Sequence, residues 1–238
     1  MNIIAETPTS LPHSPVPTQD DRRIELHDIV KCYDTKFGEK RVLDGITFGV
    51  GPGEKIAVLG KNGAGKSTLV KIIGGVEQPT EGTVTRGMTM SWPLSFGGGG
   101  FARAMSGLDN IRFIARVYDK PIQETIDFVE DFAELGSYLK HPVKAYSSGM
   151  AMRLAFALTL AVDFDCLLID EVIAVGDQRF AKKCREALFE RRKHCSMILV
   201  SHAKDIIKTY CDRALVLKNG RGRVFDDIDF ALEIYSTL

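Results

Sequence analysis

The sequence predicts an α/β fold in which a mostly parallel sheet is covered by helices on both faces, and three observations predict it. Three short apolar runs, Cys166-Leu167-Leu168-Ile169, Met197-Ile198-Leu199-Val200 and Ala214-Leu215-Val216-Leu217, each stand beside a polar or turn residue, as strands buried on two faces do. Helical patterns lie between them, and strand–helix–strand alternation builds a sheet of this kind. The third observation is a strand, a glycine-rich loop and a helix in immediate succession. The apolar run Lys55–Leu59 leads into Gly60-Lys61-Asn62-Gly63-Ala64-Gly65-Lys66-Ser67, and a helical stripe follows through Ile73 and stops at Gly74-Gly75.

Taken in order, residues 1–22 are expected to be a disordered, Pro-rich extension and residues 23–238 the folded domain. The start holds Pro8, Pro12, Pro15 and Pro17 and no Lys or Arg up to residue 21. It therefore lacks the basic start and apolar core of a secretory signal, and its composition suits an unfolded segment. Strand-like spacing runs from Ile24 to Tyr33 and from Arg41 to Val50, with Gly51-Pro52-Gly53 as a sharp turn. After the loop and its helix, Gln78–Gly82 reads as a turn, and Thr83–Thr85 and Met88–Trp92 as short strands. Gly97–Gly100 breaks regularity. From Ser106 the period becomes helical: Leu108, Ile111, Ile114 and Val117 share one face, as do Ile122, Ile126, Val129 and Phe132 after Pro121. A helical subdomain of roughly sixty residues, about 101–162, is implied. The last helix is expected from Asp227 to about Tyr235.

Composition bounds the function. A chain of 238 residues with 45% hydrophobic content suffices for one large domain. Lys plus Arg balance Asp plus Glu at 31 each, so no global field draws the chain onto nucleic acid or an anionic surface. No apolar run approaches the roughly 18 residues of a membrane span. The five cysteines, Cys32, Cys166, Cys184, Cys195 and Cys211, lack paired metal-ligand spacing and read as reduced, buried thiols.

The loop from Gly60 to Ser67 fits G-x-x-x-x-G-K-S/T in full. Its glycines let the backbone turn its N–H groups inward, and the following helix adds a positive end that attracts anions. Lys66 is expected to reach the β- and γ-phosphates and the Ser67 hydroxyl to bind Mg²⁺. Asp170 and Glu171 end the run Leu167–Ile169, at the strand end where ligands sit in open α/β sheets. Asp170 is placed to help hold Mg²⁺, and Glu171 to orient and deprotonate a water. His202 follows the run Met197–Val200 and is read as a donor to the γ-phosphate or the water. Ser147 or Ser148 is a candidate cap of the next helix, whose N-terminus can bind an anion. One phosphate loop has no need of a second such terminus, unless that terminus serves another subunit.

The loop, the Ser-Gly motif, the acidic pair and the histidine, in this order and at these separations, resemble the ATP-binding cassette (ABC) ATPases. The resemblance implies a P-loop NTPase with a mostly parallel core sheet, an antiparallel β region at its start and an inserted helical subdomain. It implies that Gly60, Lys61, Asn62, Gly63, Ala64, Gly65, Lys66, Ser67 and Thr68 bind ATP, that Ser67 and Asp170 hold Mg²⁺, and that Glu171, His202 and Lys66 are catalytic. Tyr33 resembles the aromatic that stacks on adenine. Tyr146–Met150 resembles the signature motif, with Ser147, Ser148 and Gly149 closing on nucleotide, and Ala174–Asp177 resembles the D-loop, with Asp177 beside the nucleotide. In such a family two subunits sandwich ATP, each lending its signature helix to the other's loop.

Ser91-Trp92-Pro93, Gly99-Gly100-Phe101, Phe128–Gly136, Tyr146–Met150 and Asp170–Asp177 are similar to the ATPase subunit of bacterial capsular polysaccharide exporters. That likeness implies a homodimer at the cytoplasmic face of the inner membrane, held by two integral-membrane permease subunits and exporting a lipid-linked acidic glycan. It also implies periplasmic and outer-membrane export partners further along, and no nucleic acid. The alternatives are another polysaccharide, such as O-antigen or teichoic acid, or a soluble cassette ATPase outside transport. A phosphotransferase kinase would leave the signature motif and His202 unexplained. Three departures stand out: the usual LSGGQ reads YSSGM, no glutamine occurs from 79 to 122 to serve as the Q-loop residue, and the D-loop is not the common SALD. The segment Trp92–Phe101 must occupy the Q-loop's place.

Overall fold

The structure, a computed structural model, describes residues 22–94, 101–170 and 178–238. Strands β1 (Ile24–Thr35) and β2 (Gly38–Val50) form a long antiparallel hairpin, and β4 (Glu81–Arg86) pairs with the other edge of β1, giving a three-stranded sheet ordered β2-β1-β4. The core sheet is ordered β5-β6-β3-β7-β8, from β3 (Lys55–Gly60), β5 (Cys166–Asp170), β6 (Ser196–Val200), β7 (Arg213–Lys218) and β8 (Arg221–Phe225). All its pairings are parallel except β7–β8. An α/β architecture with an antiparallel first sheet and a mostly parallel core is thus the observed one.

Side-chain alternation along these strands sorts the core into two layers. Ile56, Val58, Leu168, Ile198, Val200, Leu215 and Leu217 face one way, joining Ile24, Leu26 and Ile29 of the antiparallel sheet and Leu69, Val70, Ile72 and Ile73 of helix α1 (Lys66–Ile73). Their neighbours Ala57, Leu59, Leu167, Ile169, Met197, Leu199, Ala214 and Val216 face the helical layer. That layer contains α2 (Gly107–Val117), α3 (Ile122–Ala133) and α4 (Ser148–Ala161). Ser106 caps α2 by accepting from Asp109 N–H at 3.1 Å, and fully buried Asn110 braces the preceding loop through Ala102 and Ser106. Eight residues of α4, Met152 and Leu154–Leu160, are buried. This explains why α4 lacks a clean apolar stripe: a helix enclosed on most sides needs none. Helices α5 (Gln178–Arg185), continued by a π-helical turn Glu186–Arg191, α6 (Lys204–Tyr210) and α7 (Ile228–Ser236) complete the described elements.

Two local readings need correction. Met88–Trp92 is not a strand: it meets β5 through an isolated bridge, Met90 to Cys166. Cys166 N–H donates to Thr89 O and Ser91 N–H to Cys166 O, both at 3.0 Å, but the next acceptor, for Leu168 N–H at 2.9 Å, is the buried Ser91 hydroxyl, which itself donates to Trp92 O at 3.0 Å, so the backbone ladder is interrupted there. Strand β8 was not anticipated. It folds back through Asn219-Gly220, both at positive φ (50° and 79°), the conformation of a two-residue hairpin turn.

Candidate active site

The phosphate loop leaves β3 between two constraints. A Cβ at Gly60 would stand 2.7 Å from Leu217 O, because β7 runs alongside. Gly65, with φ 103°, begins α1, and a Cβ there would stand 2.7 Å from Leu43 Cδ2 and 3.0 Å from Val42 O. Both positions need glycine, and β2 presses the loop into its turn. Lys66 is 8% exposed, and its ammonium donates to Gly60 O at 2.7 Å and Lys61 O at 3.2 Å. A cavity of about 470 Å³ opens here, lined by Lys40, Val42, Asn62, Gly63, Gly65, Lys66, Ser67 and Thr68, within the size range of small-ligand sites. A concave wall of backbone N–H groups, one buried ammonium and two hydroxyls at a helix N-terminus is chemically an oxyanion cradle.

Sheet register brings the other groups to the same edge. Val58 pairs with Val200 and Val200 with Asp170, so the loop, Asp170 and the segment carrying His202 all leave the carboxyl ends of adjacent parallel strands. Leu94 flanks β5, donating to Leu168 O and accepting from Asp170 N–H, both at 2.9 Å. The start of the segment expected in the Q-loop's place is thereby tied to the backbone of the candidate metal aspartate. Trp92 packs edge-on against Phe164 at 5.5 Å and tilted against Tyr118, the cap of α2, at 6.4 Å. His202 Nδ1 lies 2.7 Å from Tyr235 Oη on α7.

Tyr33 does not line the cavity. Its cross-strand partner Lys40 does, which places the ring beside the cavity's β2 wall. Lys31 Nζ stands 5.1 Å from the ring centroid. Burial, followed by the bond to Glu77, pushes the Tyr33 hydroxyl above its ordinary pKa. Lys40 is a lining residue that sequence reasoning missed, although its register opposite Tyr33 follows from the hairpin once Thr35 and Gly38 are paired.

The candidate signature segment is built, and none of its residues lines this chain's own cavity. Ser147 caps α4 by accepting from Met150 N–H at 3.2 Å, while Ser147 and Ser148 are exposed and neither lines the cavity. A Cβ at Gly149 would meet nothing nearer than 3.9 Å, leaving open space in front of the helix end. Tyr146 is buried and donates to Tyr138 O at 2.8 Å, locking the motif's first residue beneath α2. Glu171 and the D-loop residues through Asp177 lie outside the described residues, as does the glycine run at 97–100.

The donors fit Mg²⁺. Ser67 lines the cavity and Asp170 ends β5, so two side chains with hard oxygen atoms are available to hold the ion, and a cation held chiefly by phosphates needs only one or two. Among the described residues, no cluster of three or more His, Cys, Asp or Glu is present, and no helix is long and apolar enough to cross a membrane.

The fold is shared with a dimeric ATP-binding cassette in a post-hydrolysis state bound to ADP and Pi. That structure superposes with TM-score 0.71 at 21% identity, over 85% of this chain and 98% of the other. In sequence, the chain is 54% identical to the ATP-binding protein BexA of Haemophilus influenzae, over 90% of this chain and 98% of that protein. It is also 54% identical to the capsule polysaccharide export ATP-binding protein CtrD of Neisseria meningitidis serogroup B, over 90% and 99% respectively. Residues 43–174, more than half of the chain, match the ABC transporter family model, and the chain belongs to that family.

Proposed function

We propose that this chain is the ATP-hydrolysing subunit of an ABC exporter that moves lipid-linked capsular polysaccharide across the bacterial inner membrane. The observation that carries the ATPase reading is the cradle around Lys66, a cavity of about 470 Å³ whose wall is the phosphate loop. The glycan is supported by the 54% identity to a capsule polysaccharide export protein along nearly its whole length.

In this reading the loop N–H groups and Lys66 grip the β- and γ-phosphates, with Ser67 and Asp170 as the protein ligands of Mg²⁺. The metal, when bound, neutralises charge between these phosphates. Glu171 takes a proton from the attacking water as the water oxygen bonds to the γ-phosphorus and the bond from that phosphorus to the β–γ bridging oxygen breaks; the electron pair stays on that oxygen, which leaves as ADP, the γ-phosphoryl group becomes inorganic phosphate, and His202 donates a hydrogen bond to a γ-phosphoryl oxygen. Ser147, Ser148 and Gly149 of a second copy close the site, which accounts for an exposed, capped helix end with open space before it. Tyr33, with Lys40 across the hairpin, holds the base and ribose side. Two permease subunits hold the dimer at the cytoplasmic face of the membrane, and periplasmic and outer-membrane proteins continue the route.

The test is genetic and chemical together. In cells that produce this protein, replacing it with Glu171→Gln is expected to leave polysaccharide inside the cell while the purified variant still binds ATP. Surface capsule at the normal level in those cells would overturn the export reading, and normal steady-state hydrolysis would overturn the assignment of Glu171.

A further inference from the structure

We propose that Tyr235 is a positioning residue for His202, fixing the imidazole in the form that can donate from Nε2; this rests on the role given to His202 above. The two groups are 33 residues apart in sequence and meet at 2.7 Å between Tyr235 Oη and His202 Nδ1. Their rings lie nearly parallel, 29° between planes, with centroids 6.4 Å apart. A neutral imidazole carries its hydrogen on one nitrogen and accepts at the other. If Nδ1 accepts from the phenol, the hydrogen must sit on Nε2, and Nε2–H is what a histidine needs to donate to a phosphoryl oxygen. The opposite polarity, Nδ1–H donating to the phenol, would leave Nε2 a lone pair facing an anion. A phenol can donate or accept, and the direction assigned here is donation to Nδ1, which sets the useful tautomer as well as the ring's orientation.

The surroundings hold Tyr235 still enough for this task. It stands one turn beyond Ala231 and Leu232, the buried residues of α7, and on their face of that helix. Asp227 caps α7 by accepting from Asp229 N–H at 2.9 Å and Phe230 N–H at 3.0 Å. Lys208 pairs with Asp229 at 2.5 Å, joining α7 to α6, the helix that begins two residues after His202. Two separate links thus connect α7 to the His202 segment, and Tyr235 is the one that reaches the imidazole. Leu238, in the turn after α7, lines a hollow of about 250 Å³ with Lys61–Ala64 and Leu217–Asn219, so this end of the fold also adjoins the phosphate loop.

Tyr235→Phe removes only the hydroxyl and keeps the ring. The purified full chain with this change is expected to lose about 3- to 10-fold in kcat, the range set by one net hydrogen bond, with KM for ATP and thermal stability nearly unchanged. In a His202→Ala background the same change is expected to do nothing further. Nitrogen-15 NMR of the imidazoles, with the His202 signal assigned by its loss in His202→Ala, is expected to show an Nε2–H tautomer in the parent and a mixture in Tyr235→Phe. Unchanged kcat and an unchanged imidazole signal in Tyr235→Phe would overturn the proposal. So would a loss of rate that persists in full when His202 is already absent. A His202→Ala protein with full activity would instead remove the histidine's own role and leave Tyr235 nothing to position.

Discussion

Gly65→Ala isolates how tightly strand β2 clamps the phosphate loop. The residue has φ 103°, which costs a non-glycine residue about 1–3 kcal/mol. The new Cβ would also stand 2.7 Å from Leu43 Cδ2 and 3.0 Å from Val42 O. The leucine methyl can turn aside, but the carbonyl belongs to β2 and moves only with it, adding about 1–3 kcal/mol of overpacking cost. The sum, about 2–6 kcal/mol, corresponds to a fall in Tm of about 4–24 °C for a chain of this size. Gly63→Ala is the matched control, because its φ is 83° but a Cβ there meets nothing within 4 Å. It carries the backbone strain alone, about half of that sum, a fall of about 2–12 °C. Thermal melts of both variants, with and without Mg-ATP, make the comparison. Gly65→Ala is expected to melt lower than Gly63→Ala and to gain less from nucleotide. If Gly65→Ala melts at or above Gly63→Ala, β2 does not clamp the loop and the reasoning fails.

Burial pushes the thiols of Cys166, Cys184 and Cys211 up to about 12, so they remain protonated and shielded. Alkylation followed by mass spectrometry should therefore label them only after denaturation, and prompt labelling of native Cys166 would contradict its burial. Bonds from Lys120, then Arg192, hold the Asp163 carboxyl below its ordinary value of 3.8. A folded-state value that is depressed contributes stability above the unfolded value, which is lost as pH falls through the folded one. Asp163→Asn should thus lower Tm near neutral pH by a modest amount, since the side chain is two-thirds exposed, with the deficit closing below about pH 3.8. A deficit that persists in acid would show that packing rather than charge is lost.

Much of this fold is legible because apolar period and glycine placement are local signals. The runs at Leu167, Ile198 and Leu215 mark buried strands, Ser106 and Ser147 mark helix starts, and Gly60 and Gly65 mark the loop. What escaped has a physical pattern. Ser91 interrupts the backbone ladder with its hydroxyl at Leu168 N–H, so a strand-like run makes only an isolated bridge. Strand β8 alternates Arg and small residues, its apolar content being only Val224 and Phe225, yet Asn219-Gly220 was a readable hairpin sign. In the site, the loop is a contiguous motif and is readable as such, and so is Asp170 at the end of an apolar run. Lys40 enters through hairpin register and Tyr235 through a contact between distant segments, neither of which a linear pattern contains.

The central claim is that each ATP is hydrolysed between the loop of one copy and the signature helix of another. Lys66→Ala disables the loop, and Gly149→Asp disables the signature by placing a carboxylate at the end of α4, where a side chain meets nothing nearer than 3.9 Å. Each variant alone is expected to hydrolyse ATP at background rate. Mixed in equal amounts, half of the dimers pair the two kinds, and each such dimer retains one intact loop facing one intact signature helix. Activity is then expected to return to about a quarter of the parent's. Activity in the mixture no greater than the sum of the separate variants would place each site within a single chain and contradict the account.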